Sequence, residues 1–338
     1  SRMAGRRLSE RQQARIARQQ EQRRARAGGA DAVTEAGLGP EQTGLVITNH
    51  GASAIVEDAQ GRLYRCAVRQ NLGRLACGDR VVWQVADPIA ATGVVVAVNA
   101  RRSLLTRPDY HGQPRPVAAN LDAVAVVLAP EPEPSEYLID RYLVAIAAIG
   151  VQSLLVLNKI DLLSEAALAA LQARFAPYRR IGSPLLLASS HSAHGLDALR
   201  DWLRDRSSLL VGQSGVGKSS LIQALLPDRA IRIQALSAAT GHGTHTTSSS
   251  TLYHLPGDGD LIDTPGVRSF ELGEIGPGDL ARGFPELAPY LGQCRFSDCR
   301  HQSEPDCALR AALDRGEIAP RRLASYLELR ATLATRPG

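Results

Sequence analysis

The segment Gly212-Gln213-Ser214-Gly215-Val216-Gly217-Lys218-Ser219 follows the apolar run Leu209-Leu210-Val211 and leads into Leu221, Ile222 and Leu225 at helical spacing. This is G-x-x-x-x-G-K-[ST] in the context it requires, a strand before and a helix after. The glycines let consecutive backbone N–H groups turn inward around a phosphate, and the helix N-terminus adds its positive dipole end. Lys218 is expected to reach the β- and γ-phosphates, and the Ser219 hydroxyl to ligate Mg²⁺, with Ser220 completing the cradle. A glycine-rich turn without a ligand is the plain alternative, and the flanking strand and helix weigh against it. Such a loop needs a parallel α/β layer to hold it. Residues 120–275 supply the pattern: apolar strands at Val124–Ala129, Ser153–Leu157, Leu185–Ala188 and Leu209–Val211 alternate with helices over 136–149, 164–176, 195–204 and 218–226. Two further strands fit 251–255 and 260–263.

The cations sharpen the nucleotide reading. Of 39 Lys and Arg residues only two are lysines, Lys159 and Lys218. Nucleotide-composition bias explains the excess of arginine, so a surviving lysine marks a place where the planar guanidinium fork does not serve. Lys218 lies in the phosphate loop. Lys159 lies in Asn158-Lys159-Ile160-Asp161, directly after the strand Leu154–Leu157. The carboxylate of Asp161 can accept two hydrogen bonds from N1–H and N2–H₂ of guanine, where adenine presents an acceptor. Lys159 would pack its stem along the base, and Asn158 would brace the loops. An Asp that merely caps a helix is the alternative for this motif taken alone. Ser189-Ser190, after the strand 185–188, is the remaining guanine-contact candidate and the least specific of the set.

Asp263-Thr264-Pro265-Gly266 ends a strand and matches D-x-x-G. Asp263 is expected to hold Mg²⁺ through water and the Gly266 amide to contact the γ-phosphate. The order is unusual, because the guanine motif precedes the phosphate loop, and the chain reads as a circularly permuted G domain. The γ-phosphate-sensing loop then leads straight into the C-terminal segment, so its movement is expected to swing that segment. The residue after D-x-x-G is Val267, which cannot orient a water. Hydrolysis is therefore expected to be slow unaided, with another group completing the site. His245, in Gly241-His242-Gly243-Thr244-His245-Thr246-Thr247, is the candidate catalytic residue. Thr247, or else Thr246, is the second Mg²⁺ hydroxyl. A surface role is the alternative for His245.

Cys294-x4-Cys299-x-His301-x5-Cys307 places three thiols and an imidazole within a short stretch, a closed Cys₃His set for one structural Zn²⁺. The other cysteines, Cys66 and Cys77, read as ordinary buried thiols. Five cysteines in a chain of 338 residues argue against a disulfide framework and for the cytoplasm. No apolar run is long enough to span a membrane, and no secretory leader is visible. Ser1 and Arg2 precede Met3 and are set aside as a cloning remnant.

Four segments result. Residues 1–40 are expected to be a basic disordered tail: residues 1–27 alone carry nine Arg against two Glu, more than the +5 of the whole chain. Residues 41–106 read as five short strands, Leu45–Thr48, Ala52–Glu57, Leu63–Val68, Val81–Val85 and Val94–Val98. Their number suits an OB-fold barrel, although other small barrels fit the pattern nearly as well. Arg62, Arg65, Arg69, Arg74 and Arg80 are candidates for a nucleic-acid face, or simply a solvated one. Residues 107–275 are the permuted GTPase domain, and 276–338 a zinc-binding domain with helices near 305–315 and 320–333.

Taken together, the permuted motifs, the Gly-x-Gly-x-His-Thr-Thr stretch and the Cys-x4-Cys-x-His-x5-Cys spacing resemble the RsgA (YjeQ) family of small ribosomal subunit biogenesis GTPases, from about residue 41 to 335. The resemblance implies an OB-fold, a permuted GTPase and a zinc domain acting with GTP/GDP, Mg²⁺ and one Zn²⁺. It implies binding to the 30S ribosomal subunit and 16S rRNA; the chain is expected to act as a monomer, away from membranes. It further implies GTP hydrolysis stimulated by the subunit in late 30S maturation, with the histidine of the H-T-T motif, His245 here, as the catalytic residue. A permuted GTPase of large-subunit assembly shares the G domain but not this barrel-and-zinc pair. A non-hydrolysing RNA-binding module conflicts with the intact Lys218, Ser219, Asp263 and Asp161.

Overall fold

The structure, a computed structural model, describes residues 37–109, 111–240, 250–264 and 276–334. It divides into two compact units. The first is built on a barrel of β1 (Glu41–Asn49), β2 (Ser53–Glu57), β3 (Leu63–Val68), β4 (Arg80–Asp87) and β5 (Thr92–Val98). Neighbours run β1-β2-β3-β5-β4, and β4 pairs back onto β1, so no edge is left over. All pairs are antiparallel except β3 with β5. This closed order is that of the OB-fold and removes the ambiguity that strand number alone leaves. Trp83 plugs the interior with no exposed surface, and its Nε1 donates to the Thr43 carbonyl at 3.2 Å. Two glycines make room for it: a Cβ on Gly44 would lie 2.6 Å from Trp83 Nε1, and one on Gly93 would lie 2.8 Å from Cε3. Val46, Val56, Tyr64, Cys66, Val81 and Val95 complete the core. Cys66 and Cys77 are buried and free, and burial pushes the Cys66 thiol up to about 12. Arg62, Arg65, Arg74 and Arg80 are exposed and Arg69 half-buried. The same unit holds Thr251, paired with Thr48 of β1, and a helix that the hydrophobic pattern did not announce, Arg229–Thr240.

The second unit carries a parallel sheet. Its strands are β8 (Ala123–Leu128), β9 (Gln152–Leu157), β10 (Leu185–Leu187), β11 (Ser207–Val211) and β13 (Asp260–Asp263), in the order β10-β9-β8-β11-β13. Between barrel and sheet come β6 (Leu104–Pro108) and β7 (Pro114–Ala119), also unannounced; β12 (Thr251–His254) precedes β13. Every residue of β8 is buried, as a central strand covered on both faces must be. The chain leaves β8 toward β9 and β10 and later returns to its other side with β11. That reversal opens a crevice at the C-terminal strand ends, where α/β sheets bind ligands.

Local chemistry fixes the helices. The side chain of Ser135 caps α1 (Glu136–Ile149) by accepting from Leu138 N, and Gly150 ends it in the left-handed region. Ser164 caps α2 (Glu165–Arg180) in the same way. Helices α3 (Leu196–Leu203) and α4 (Lys218–Leu225) complete the layer, and the barrel-unit helix is α5 (Arg229–Thr240). The C-terminal segment contains α6 (Pro277–Arg282), a 3₁₀ turn at Pro285–Leu287, α7 (Ala308–Asp314) and α8 (Pro320–Ala334) around Phe284, Leu287, Leu309 and Leu329. The expected helix near 305–315 starts at Ala308, because Cys307 stands at its N-cap with extended backbone.

Candidate guanine-nucleotide site and metal centre

The phosphate loop leaves the C-terminal end of β11 and enters α4. Its shape depends on glycine. Gly212 has φ +146°, and a Cβ there would lie 2.3 Å from the Val127 carbonyl oxygen of the adjacent strand. Gly215 and Gly217 take φ +86° and +89°, and a Cβ on Gly217 would lie 2.4 Å from Asn158 Nδ2. Val216 is buried and pins the loop to the core, Gln213 is half-buried, and Ser214 and Gly215 are exposed. Lys218 opens α4, and its Nζ donates to the carbonyls of Gly212 and Gln213, both at 2.6 Å. The ammonium is thus held over the loop it serves. Ser219 and Ser220 follow on the first turn of α4, both exposed.

The guanine motif is joined to this loop by its own side chains. Asn158, fully buried, donates from Nδ2 to the Val216 carbonyl at 3.0 Å and accepts at Oδ1 from the Ser190 amide at 3.3 Å. Lys159 Nζ donates to the Gly215 carbonyl at 2.5 Å, from a residue with φ +61°. Ser189 Oγ donates to Asp161 Oδ1 at 2.5 Å and accepts from the Ser192 amide at 3.0 Å. The Ser189 hydroxyl is the main reason the Asp161 carboxyl lies below the usual carboxylate range; His191 and Lys159 add to it. The exposed carboxylate is therefore aimed and ionised. Asp161 sits in a 3₁₀ turn, and Ser164 caps the following helix, so the helix-cap alternative falls away. The three loops at 158–161, 189–190 and 212–219 are brought to one place, the least specific serine pair included. Asp263 ends β13, half-buried, on the strand beside β11. Gly266, His245, Thr246, Thr247 and Val267 lie outside the described residues, as does the tail at 1–36.

The second cluster is in the C-terminal segment. The ligand atoms of Cys294, Cys299, His301 and Cys307 all lie within 4.8 Å of one another. His301 Nδ1 is 3.4 Å from Sγ of both Cys294 and Cys307, and those two sulfurs are 3.9 Å apart. A tetrahedron with Zn–S bonds of about 2.3 Å has edges of about 3.8 Å, so donors and spacing fit Zn²⁺. Burial opposes ionisation of Cys294, but the amides of Ala308 and Leu309 at the start of α7, with the neighbouring thiols, hold its pKa below the usual thiol value. Burial is also the main reason Cys299 is pushed up to about 11. Sequence reasoning missed Glu304. Its carboxylate is held at about 2, by its own amide first and then by that of Arg300, with those of Gln302 and Ser303 adding to them against the opposing effect of burial. A lone glutamate in a loop carries no signal that would have found it.

Comparison with known proteins agrees with this geometry. A family model described as RsgA GTPase matches residues 98–273. The Small ribosomal subunit biogenesis GTPase RsgA of Pseudomonas aeruginosa (strain LESB58) is 48% identical over 336 residues, covering 98% of each chain. The protein of that name from Azotobacter vinelandii is 49% identical over 340 residues, again 98% of each. Among solved structures, YjeQ from Thermotoga maritima is similar with a TM-score of 0.71 and 32% identity, over 88% of this chain and all of that one (100%). YloQ, described as a circularly permuted GTPase, is similar with a TM-score of 0.67 and 27% identity, over 91% of this chain and 99% of that one. A permuted phosphate loop tied to its guanine motif, a five-stranded barrel and full-length relatives at nearly half identity lead to one statement: this chain belongs to the RsgA GTPase family.

Proposed function

We propose that this chain hydrolyses GTP to GDP and phosphate in late maturation of the small ribosomal subunit, binding the 30S subunit through 16S rRNA and working in the cytoplasm as a monomer. The observation that carries the reading is the bracing of Asn158 and Lys159 against the phosphate loop, with Asp161 aimed by Ser189. That arrangement supports selection of guanine and a preformed phosphate cradle from one rigid set of loops. The N–H groups from Gly212 to Ser219 would cradle the phosphates, and Lys218 would turn its ammonium from the loop carbonyls toward them. Ser219, Asp263 and Thr247 are suited to hold Mg²⁺, which supplies charge neutralisation when bound. His245 would orient the attacking water that Val267 cannot, and Gly266 would sense the γ-phosphate. The division into tail (1–40), barrel (41–106), GTPase (107–275) and zinc domain (276–338) belongs to the same reading.

The test is GTP turnover with and without purified 30S subunits, 50S subunits and naked rRNA, with ATP as competitor. Stimulation by 30S alone, undiminished by ATP, is the expected result. Turnover indifferent to 30S, or equal use of adenine, would sink the reading.

A further inference from the structure

The metal-ligand loop contains a device that its four ligands do not account for. His301 has φ +64°, a left-handed backbone uncommon for a residue with a Cβ. That conformation brings Nδ1 to within 3.4 Å of the Cys294 and Cys307 sulfurs. The amides on both sides of the histidine turn toward a single carboxylate. Arg300 N donates to Glu304 Oε1 at 3.0 Å, and Gln302 N and Ser303 N donate to Oε2 at 2.9 and 3.1 Å. Converging amides of this kind form an anion-binding nest, and here the anion comes from the chain itself. Arg310 on α7 also donates to the Gln302 carbonyl. The far end of the loop is closed separately, by Arg295 N on the Asp306 carbonyl at 3.3 Å and by the ion pair between their side chains at 3.0 Å. Of these contacts, those of Glu304 grip the amides immediately on either side of the histidine.

We propose that Glu304 is the positioning residue of the metal centre: by clamping the amides of Arg300, Gln302 and Ser303 it holds His301 ready to offer Nδ1 to Zn²⁺. The proposal rests on the reading of Cys294, Cys299, His301 and Cys307 as a zinc site. Glu304 stays in solvent contact; its hydrogen bonds act on His301 through the backbone amides, and its charge acts on the imidazole as well. A loop ordered before the ion arrives pays less conformational entropy on binding and releases the ion more slowly. Without the carboxylate, three amides turn to water and His301 is free to leave the left-handed region.

The experiment uses the full chain loaded with zinc, as wild type, Glu304→Ala and Glu304→Gln. Metal content is measured by mass spectrometry of the elements, and zinc loss by transfer to a chromogenic chelator. Co²⁺-substituted protein gives a visible spectrum that reports the ligand field, and a fluorescent guanine nucleotide reports that the G domain is intact. Wild type is expected to hold one zinc. Glu304→Ala is expected to release it about 10- to 100-fold faster, in the range seen for outer partners of metal ligands, with an altered Co²⁺ spectrum. Glu304→Gln keeps one acceptor oxygen and should fall between the two. Unchanged release and an unchanged Co²⁺ spectrum in Glu304→Ala would overturn the proposal. So would equal destabilisation of the zinc-loaded and metal-free chains without a change in release, which is the mark of an ordinary loop contact. A wild type that holds no zinc at high free metal removes the centre itself, a different result from a centre indifferent to Glu304. Should Glu304→Ala fail to accumulate, faster release from Glu304→Gln carries the proposal, and release at the wild-type rate overturns it.

Discussion

Arg322 Nη1 lies 2.7 Å from Asp140 Oδ1, and both side chains are buried, although 182 residues separate them in the chain. The guanidinium also donates to both carboxylate oxygens of Glu286, at 2.6 and 3.0 Å, and to the Gly283 carbonyl at 2.9 Å. Its plane lies over the Phe284 ring at 4.1 Å. One arginine on α8 thus joins α1 to the segment after α6. Gly283 permits the contact, since a Cβ there would lie 2.4 Å from Val144 Cγ2 on α1. The C-terminal segment is therefore fastened to the body of the G domain, as well as tethered through the chain after Asp263. Any swing driven by the nucleotide must break this contact or carry α1 with it.

Replacing Arg322 with Met should be strongly destabilising, because Asp140 would keep a buried charge, and Glu286 a half-buried one, without the guanidinium that offsets it. Loss of one member of a buried pair costs about 3–5 kcal/mol. Urea unfolding of the zinc-loaded chain would measure it. Adding Asp140→Leu should recover part of the loss by removing one stranded carboxylate; an additive further loss would contradict this account.

Asp161→Asn should weaken GTP binding by about 100-fold, the equivalent of losing a charge-assisted pair of hydrogen bonds. An amide offers one donor and one acceptor, which matches the C2 carbonyl and N1–H of xanthine. Competition binding with xanthosine and guanosine triphosphates should show the preference reversed, and retained guanine preference would count against Asp161 as the reader.

Gly217→Ala should abolish nucleotide binding while leaving the fold intact. The new methyl group would collide with Asn158 Nδ2 at 2.4 Å, in a backbone conformation that L side chains resist. Fluorescent-nucleotide titration next to far-ultraviolet circular dichroism separates the two effects.

His245→Ala should lower subunit-stimulated turnover by about 100-fold with GTP affinity unchanged, the pattern of a group that acts only in the transition state. Single-turnover hydrolysis and equilibrium binding, measured together, decide it. A parallel fall in both would make His245 a binding residue.

Glu136 gives a dependence on pH. Burial pushes its carboxyl upward, but hydrogen bonds and charge from Arg174, joined by Arg321, outweigh it and hold the pKa below the ordinary 4.5. A carboxylate lowered by folding contributes stability that is fully present above its unfolded value and is lost as pH falls through the folded one. The stability gap between wild type and Glu136→Gln should therefore be constant near neutrality and shrink below about pH 4.5. Denaturant unfolding across pH 3 to 7 would detect it, and a gap independent of pH would exclude the ion pairs as its source.

The amino-acid sequence by itself determined the parts whose geometry is local. Gly212 and Gly217 are the two positions that the phosphate-loop motif fixes as glycine, and a Cβ at either would collide with its neighbour. The spacing of Cys294, Cys299, His301 and Cys307 is set by what a short loop can bring around one ion. The strands of the barrel and of the parallel sheet were legible because their alternation or unbroken apolar runs state which faces are buried. Tertiary structure alone decided the partners. Asn158 and Val216 meet across 58 residues, and Arg322 and Asp140 across 182. The helix Arg229–Thr240 was silent because it shows no clean apolar stripe, and Glu304 because a carboxylate that binds backbone amides looks the same in sequence as one that binds water. Local conformation follows from the chemistry of neighbouring residues, whereas a long-range contact depends on which alternatives packing excludes, and that is decided only once the chain has folded.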